Sequence, residues 1–246
     1  MPLPPPFEAR LVGARALTPS VRELVFERTG GLPLAFEAGQ WVNALLPLPD
    51  GPASDTKRSY SIASAPEGTP RFEIAVTLVP GGPASTWLHA APVGATVRFV
   101  GPQGFFTRAP SSAQPSLLVA TGTGVAPLRS MMRAALGAGS QAPMWLVLGV
   151  RREADLLYRD EFQAMAARHP NVRFEPTLSQ PDDRWSGRRG YVQAQVEALW
   201  GELAALGTGA PHAYVCGLQR MVGSVRDLLR KQMAVGREQV HSERYD

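Results

Sequence analysis

The feature that most narrows the folds open to this chain is a change of hydrophobic period near its middle. Up to about residue 106 it runs in short β-rich segments, FEARLVGARAL, VRELVFERT, QWVNALLPL, KRSYSIAS, RFEIAVTLV and ATVRFVG, punctuated by glycine, proline and polar residues. Strands at such intervals imply a small antiparallel barrel, with one helix where PASTWLHA interrupts them. The stretch TRAPSSAQPS then reads as a linker. Beyond it the apolar runs SLLVAT, MWLVLGV, NVRFEPT, HAYVCG and EQVHS alternate with helical patterns near 125–137, 155–168, 190–206 and 218–235. Strand alternating with helix implies parallel βαβ units, and hence an open, doubly wound α/β sheet of five parallel strands. The expected organisation is a barrel domain over 1–106, a linker over 107–116 and an α/β domain over 117–246. A length of 246 residues lets each half bury its own core.

Composition narrows the chemistry. One cysteine, Cys216, excludes an internal disulfide and any four-cysteine iron–sulfur cluster or zinc knuckle within these residues, so a redox centre here has to be organic. Lys57 and Lys231 are the only lysines among 25 basic residues, and the net charge of +4 is therefore carried by arginine. Guanidinium groups make planar, bidentate contacts to phosphate and carboxylate, which suits a phosphate-bearing cofactor or an acidic protein partner. No contiguous basic run points to nucleic acid. The opening MPLPPPFEAR has neither a basic nor an apolar signal region, and no stretch approaches the roughly 18 apolar residues of a membrane span. A cytoplasmic location without membrane association is the expectation.

Four motifs carry the functional reading. Thr121-Gly122-Thr123-Gly124-Val125-Ala126-Pro127 follows the first strand of the second half and opens its first helix, where glycines admit a pyrophosphate to unpaired helix N–H groups. Pro127 suits a first helical turn and stands where the usual third glycine is missing. Cys216-Gly217 ends the fourth strand; with a strand order of 3-2-1-4-5 it would face the glycine turn across one crevice. On its own, Cys216 reads as a small buried hydrophobe. In the first half, Arg58-Ser59-Tyr60-Ser61 lies in a strand that sends Arg58 and Tyr60 to one face and Ser59 and Ser61 to the other. Gly81-Gly82-Pro83-Ala84-Ser85-Thr86 precedes the short helix and offers a second helix start to a pyrophosphate.

In this order the motifs resemble those of the ferredoxin-NADP reductase family, and the resemblance spans almost the whole chain. It implies an FAD-binding barrel joined to an NAD(P)-binding domain. By that resemblance Arg58 would bind the flavin pyrophosphate, Tyr60 would lie against the isoalloxazine, and Ser61 would sit near flavin N5. Gly82, Ser85 and Thr86 would close over the FAD pyrophosphate, with Ser59 beside them in the RSYS segment. Thr121, Gly122, Gly124, Val125 and Pro127 would take the pyridine-nucleotide pyrophosphate, and Cys216 and Gly217 the nicotinamide. The ending Glu243-Arg244-Tyr245-Asp246 is similar to the family's closing Glu-x-Tyr, with one residue added. It implies a tyrosine on the flavin face and a glutamate assisting proton movement.

Nucleotide choice turns on the adenosine 2′ position, where NADP needs cations. Arg151 and Arg152 follow the second strand, and a stretch with Ser179, Arg184, Arg188 and Arg189 follows the third; these arginines favour NADP. Gln180, Asp182 and Asp183 pull the other way and keep NAD open. Tyr191 either stacks on adenine or starts the helix from 190. The resemblance implies electron transfer from NADPH to a separate carrier, ferredoxin or flavodoxin, and a monomer is expected. A reductase component of an oxygenase, a flavin or quinone reductase using NADH, and a non-catalytic nucleotide-binding subunit are the alternatives.

Overall fold

The computed structural model describes residues 5–48 and 56–245. The Asp246 that follows the terminal tyrosine lies outside the described residues. The first half builds a six-stranded antiparallel sheet from β1 (Phe7–Thr18), β2 (Val21–Arg28), β3 (Trp41–Leu46), β4 (Thr56–Ser61), β5 (Arg71–Thr77) and β6 (Thr96–Gln103), in the order β4-β3-β6-β1-β2-β5. In β1 the period of two puts Phe7, Ala9 and Leu11 inside and leaves Glu8 and Arg10 in water. Phe7, Phe26, Phe72 and Phe99 meet in that interior with ring centroids 5.0 to 6.1 Å apart. The two edge strands are joined by a bridge between Ile62 and Ile74 and by a 2.7 Å bond from Ala63 N to Glu73 O, which curls the sheet into a barrel. Helix α1 (Pro83–Ala90) crosses the barrel and buries Ala84, Ser85 and Leu88 against it.

The second half is a parallel sheet of β7 (Ser116–Thr121), β8 (Met144–Val150), β9 (Val172–Leu178), β10 (Arg188–Arg189), β11 (His212–Leu218) and β12 (Val240–Tyr245), ordered β10-β9-β8-β7-β11-β12. Helices α2 (Val125–Gly137), α3 (Arg159–Arg168), α4 (Gln193–Ala204) and α5 (Gln219–Asp227) cover its faces. Its five main strands follow the expected 3-2-1-4-5 order. The sixth strand corrects the count: Arg188-Arg189 pairs with Thr177-Leu178, and Arg188 is pinned there by Glu175 at 2.8 Å. No described helix is long and apolar enough to cross a membrane.

Of the boundaries that differ from the periodicity, three have a visible cause. Helix α3 starts at Arg159 rather than 155 because Tyr158 has φ 54°, a left-handed conformation that breaks a right-handed helix. Helix α5 ends at Asp227 and relaxes into a π-turn over Leu228–Gln232 before Ala234, at φ 53°, stops it. The final strand runs on to Tyr245 because parallel pairing with β11 continues through Cys216↔Glu243, Gly217↔Arg244 and Leu218↔Tyr245. The stretch 107–116 is held by one buried side chain, Arg108, whose guanidinium reaches Ser116 Oγ at 2.9 Å and the carbonyls of Ala109, Ser112 and Gln114. Between the halves, Val21, Ala38, Ala63, Ala75 and Phe106 share one apolar core with α2 and α3.

Candidate functional site

Two clefts open along the seam and meet. The first, of about 540 Å³, lies between β4, the start of α1 and the turn before α2; Arg58, Ser59, Tyr60, Ser61, Gly82 and Ser85 line it. Antiparallel pairing with β3 fixes β4 there, and the backbone of Ile62 continues it through a bond to Gln40 O. Arg58 is exposed, with Nη1 resting on the Lys57 carbonyl at 2.9 Å, so most of its donors face the cleft or water. Tyr60 is half-buried, and burial, opposed by Arg58, raises its phenol to about 12. At Gly82 a Cβ would press on Ser85 Oγ at 2.9 Å, so this wall needs glycine. The Ser85 hydroxyl is taken up inside the turn: it accepts from Val79 N at 3.0 Å and donates to Gly82 O at 3.0 Å. The N–H groups of the first turn of α1, not the Ser85 side chain, are what this wall can offer an anion. Thr86 points outward and is not part of the lining.

The second cleft, of about 640 Å³, follows the carboxyl ends of β7, β8, β9 and β11. Thr121, Gly122 and Thr123 supply its centre, Arg151, Ser179 and Tyr191 one flank, and Arg220 and Ser224 of α5 the other. Thr121 Oγ1 is buried against Gly217 without a hydrogen-bond partner, so the backbone of the Thr121–Thr123 turn, not this hydroxyl, is what a phosphate in the cleft can meet. Gly124, Val125 and Pro127 are buried in the turn and the first turn of α2 rather than presented to the cleft. Gly124 packs on the Cys216 carbonyl so closely that a Cβ would collide with it. The side chains of Arg151 and Arg220 make no hydrogen bond or ion pair with the described residues. Arg188 does: its guanidinium binds Glu175 and, at 3.1 Å, Gln195, away from the cleft. Asp182 and Asp183 also stand outside the lining, whereas Asp155 belongs to it.

Tyr245 lines both clefts, together with Thr77, Thr123 and Leu218. Its hydroxyl is 2.6 Å from Ser61 Oγ, which also lies 3.3 Å from Glu243 Oε1. Ser61, at the end of β4, therefore joins the first half to the last strand of the second. Burial, opposed by the Ser61 hydroxyl, raises the Glu243 carboxyl to about 7. Cys216, paired in register with Glu243, is fully buried; burial and then the neighbouring carboxylate push its thiol up, so it stays protonated near neutral pH. Burial likewise holds the Tyr245 phenol in its protonated form. A glutamate poised near 7 beside two hydroxyls and a neutral thiol can hold or hand on a proton at the junction of the clefts.

Leu218, Arg220 and Ser224 were not singled out from the sequence. Arg220 and Ser224 stand four apart just after Cys216-Gly217, and that spacing on the helix leaving a crevice strand is the signal that could have found them. Leu218 is 64% exposed at the place where the clefts meet.

Residues 8–107 match the family described as oxidoreductase FAD-binding domain, and residues 118–227 match the oxidoreductase NAD-binding domain. The chain is 58% identical over 242 residues to ferredoxin--NADP reductase B of Sorangium cellulosum (strain So ce56), covering 98% of each. It is 33% identical to the toluate 1,2-dioxygenase electron transfer component of Pseudomonas putida, covering 92% of this chain and 64% of that relative. Among solved structures, a cytochrome P450 reductase of Amycolatopsis superposes with a TM-score of 0.82 at 29% identity, over 98% of this chain and 69% of that one.

Proposed function

Because this chain belongs to the ferredoxin-NADP reductase family and is an FAD-dependent NAD(P)H oxidoreductase, we propose that it oxidises NADPH and passes the electrons singly to a separate carrier, a ferredoxin or flavodoxin. The observation that supports this most is the meeting of the two clefts at Tyr245, with Ser61, Cys216 and Glu243 gathered beneath it. The first cleft suits FAD: Arg58 and the start of α1 for its pyrophosphate, Tyr60 for its ring, Ser61 at the ring's inner edge. The second suits a dinucleotide whose pyrophosphate lies on the Thr121–Thr123 turn before α2. Bound flavin supplies the capacity to accept a hydride from nicotinamide and release electrons one at a time.

The chain's own residues do the rest. The Thr121–Thr123 turn fixes the nucleotide, Arg151 with Ser179 holds a 2′-phosphate, and Tyr191, 68% exposed at the cleft, offers its ring to adenine. Tyr245 covers the surface where nicotinamide must lie and excludes water until the nucleotide displaces it. Glu243 keeps a proton within reach of Ser61 Oγ. A purely structural nucleotide-binding subunit has no use for that grouping, which favours turnover.

The likeness to a dioxygenase electron transfer component, together with Asp155 in the cleft, supports a second reading as an NADH-using reductase for an oxygenase. The test is anaerobic: protein purified with its flavin is reduced with NADPH or NADH and offered ferredoxin, flavodoxin, cytochrome c and free flavin. Bleaching by NADPH and fastest reoxidation by ferredoxin or flavodoxin is the expected result. Preference for NADH, or transfer only to free flavin, would replace the reading.

A further inference from the structure

Helix α2 grips the first half of the chain immediately behind the junction of the clefts. Arg129 is a buried arginine, with its side chain 4% exposed. Its Nε binds both carboxylate oxygens of Glu161 on α3 at 2.9 Å, while Nη1 donates to the Ala63 carbonyl at 3.0 Å and to Glu73 of β5. The guanidinium lies 4.3 Å over the ring of Tyr158. The next residue, Ser130, is fully buried and donates to the Ser64 carbonyl at 2.6 Å. Ala63 and Ser64 follow Ser61 by two and three residues, and α2 begins directly after the Thr121–Gly124 turn. One helix thus carries the nucleotide turn at its start and, a turn later, holds the backbone that continues from Ser61.

We propose that Arg129 and Ser130 are positioning residues that set the distance and angle between the flavin and nicotinamide rings by tying α2 to the 63–64 backbone. A buried ion pair adds little net stability over a well-packed apolar contact, because desolvation offsets the attraction. Its distinctive property is direction: a planar guanidinium fixed by two carboxylates and one carbonyl cannot slide. Apolar packing across the seam, from Val21, Ala38 and Ala75, holds the halves together without fixing their register to a fraction of an ångström. The proposal rests on the hydride-transfer reading above.

The test uses flavin-loaded Arg129→Lys and Ser130→Ala. A lysine keeps the charge but cannot engage both glutamates and the carbonyl in one plane. Flavin content, the dissociation constant for NADP, the long-wavelength charge-transfer absorbance of the oxidised enzyme with NADP, and the limiting rate of anaerobic bleaching by NADPH are measured. In Arg129→Lys, flavin content should hold and NADP affinity stay within about twofold. The charge-transfer band should fall, and the limiting rate should drop about tenfold or more, since sub-ångström misalignment is that costly to a transfer between stacked rings. Ser130→Ala should shift both in the same direction by less. Band and rate equal to wild type in both variants, or a loss of NADP affinity at unchanged limiting rate, would overturn the proposal. If Arg129→Lys does not fold, Ser130→Ala decides by the same criteria. A wild type that no nucleotide bleaches would instead refute the functional reading.

Discussion

Arg151 and Arg220 stand on opposite flanks of the Thr121 turn, one just after β8 and the other just after β11, with β7 between them. NADPH has two anionic centres, and the cleft offers one unpaired guanidinium on each flank; on the proposed reading Arg151 meets the 2′-phosphate and Arg220 the pyrophosphate. Arg151→Ala should therefore lower kcat/KM for NADPH by about 10- to 100-fold, the ~1.5–3 kcal/mol of a charge-assisted hydrogen bond, and leave NADH nearly unchanged. Arg220→Ala should raise KM for both nucleotides alike, since on that reading its partner is the pyrophosphate they share. Steady-state kinetics with both nucleotides separates these patterns, and a selective effect of Arg220 would exchange the two roles. Arg188, offered by the sequence as a 2′-phosphate ligand, is tied to Glu175 instead. A sequence shows where arginines fall but not which of them a carboxylate from another strand has already claimed. Glu243 is a different case, for its ending motif was legible and its titration was not. Its folded carboxyl titrates near 7 against an ordinary 4.5, so the native state holds a proton that the unfolded chain releases. That contribution to stability is complete below about 4.5 and is lost as pH rises through about 7. Thermal unfolding of Glu243→Gln and wild type should thus show the variant gaining relative stability between pH 5 and pH 8. A constant difference would mean the carboxyl is not held protonated.

At the scale of elements, the turn before α2 has almost no room. A Cβ at Gly124 would collide with the Cys216 carbonyl and lie 2.8 Å from Gly217 Cα, so Gly124→Ala must push the turn away from the end of β11. A cost of about 1–3 kcal/mol is expected from such overpacking, with weaker NADP binding. Thermal denaturation and an NADP titration measure both, and a variant equal to wild type would show that the turn gives way freely. The strands of the second half were readable because buried parallel strands are long apolar runs, and β7, β8 and β11 are buried almost throughout. The ends were harder. The run EQVHS ends at Ser242, and parallel pairing with β11 carries the strand on through Glu243, Arg244 and Tyr245. The start of α3 was misplaced because a left-handed Tyr158 has no sequence signature, unlike glycine.

For the molecule as a whole, the change of period divided the chain into two sheets, but nothing in it showed how they meet. The barrel closes through Ile62 and Ile74, and the same segment runs on into the carbonyls held by α2, so barrel closure and the seam are one structure. The two α2 bonds join residues 66 apart and leave no periodic trace. On the proposed reading nicotinamide enters where the clefts meet, on the flavin face that Tyr245 covers. A phenol there competes for the same stacking face, so Tyr245→Ser should uncover it. The most direct measurement is a titration of oxidised, flavin-loaded wild type and Tyr245→Ser with NADP and NAD, followed in the long-wavelength flavin absorbance. The variant should bind both more tightly, show a stronger charge-transfer band and discriminate less between them; identical spectra and affinities in the two proteins would contradict the account.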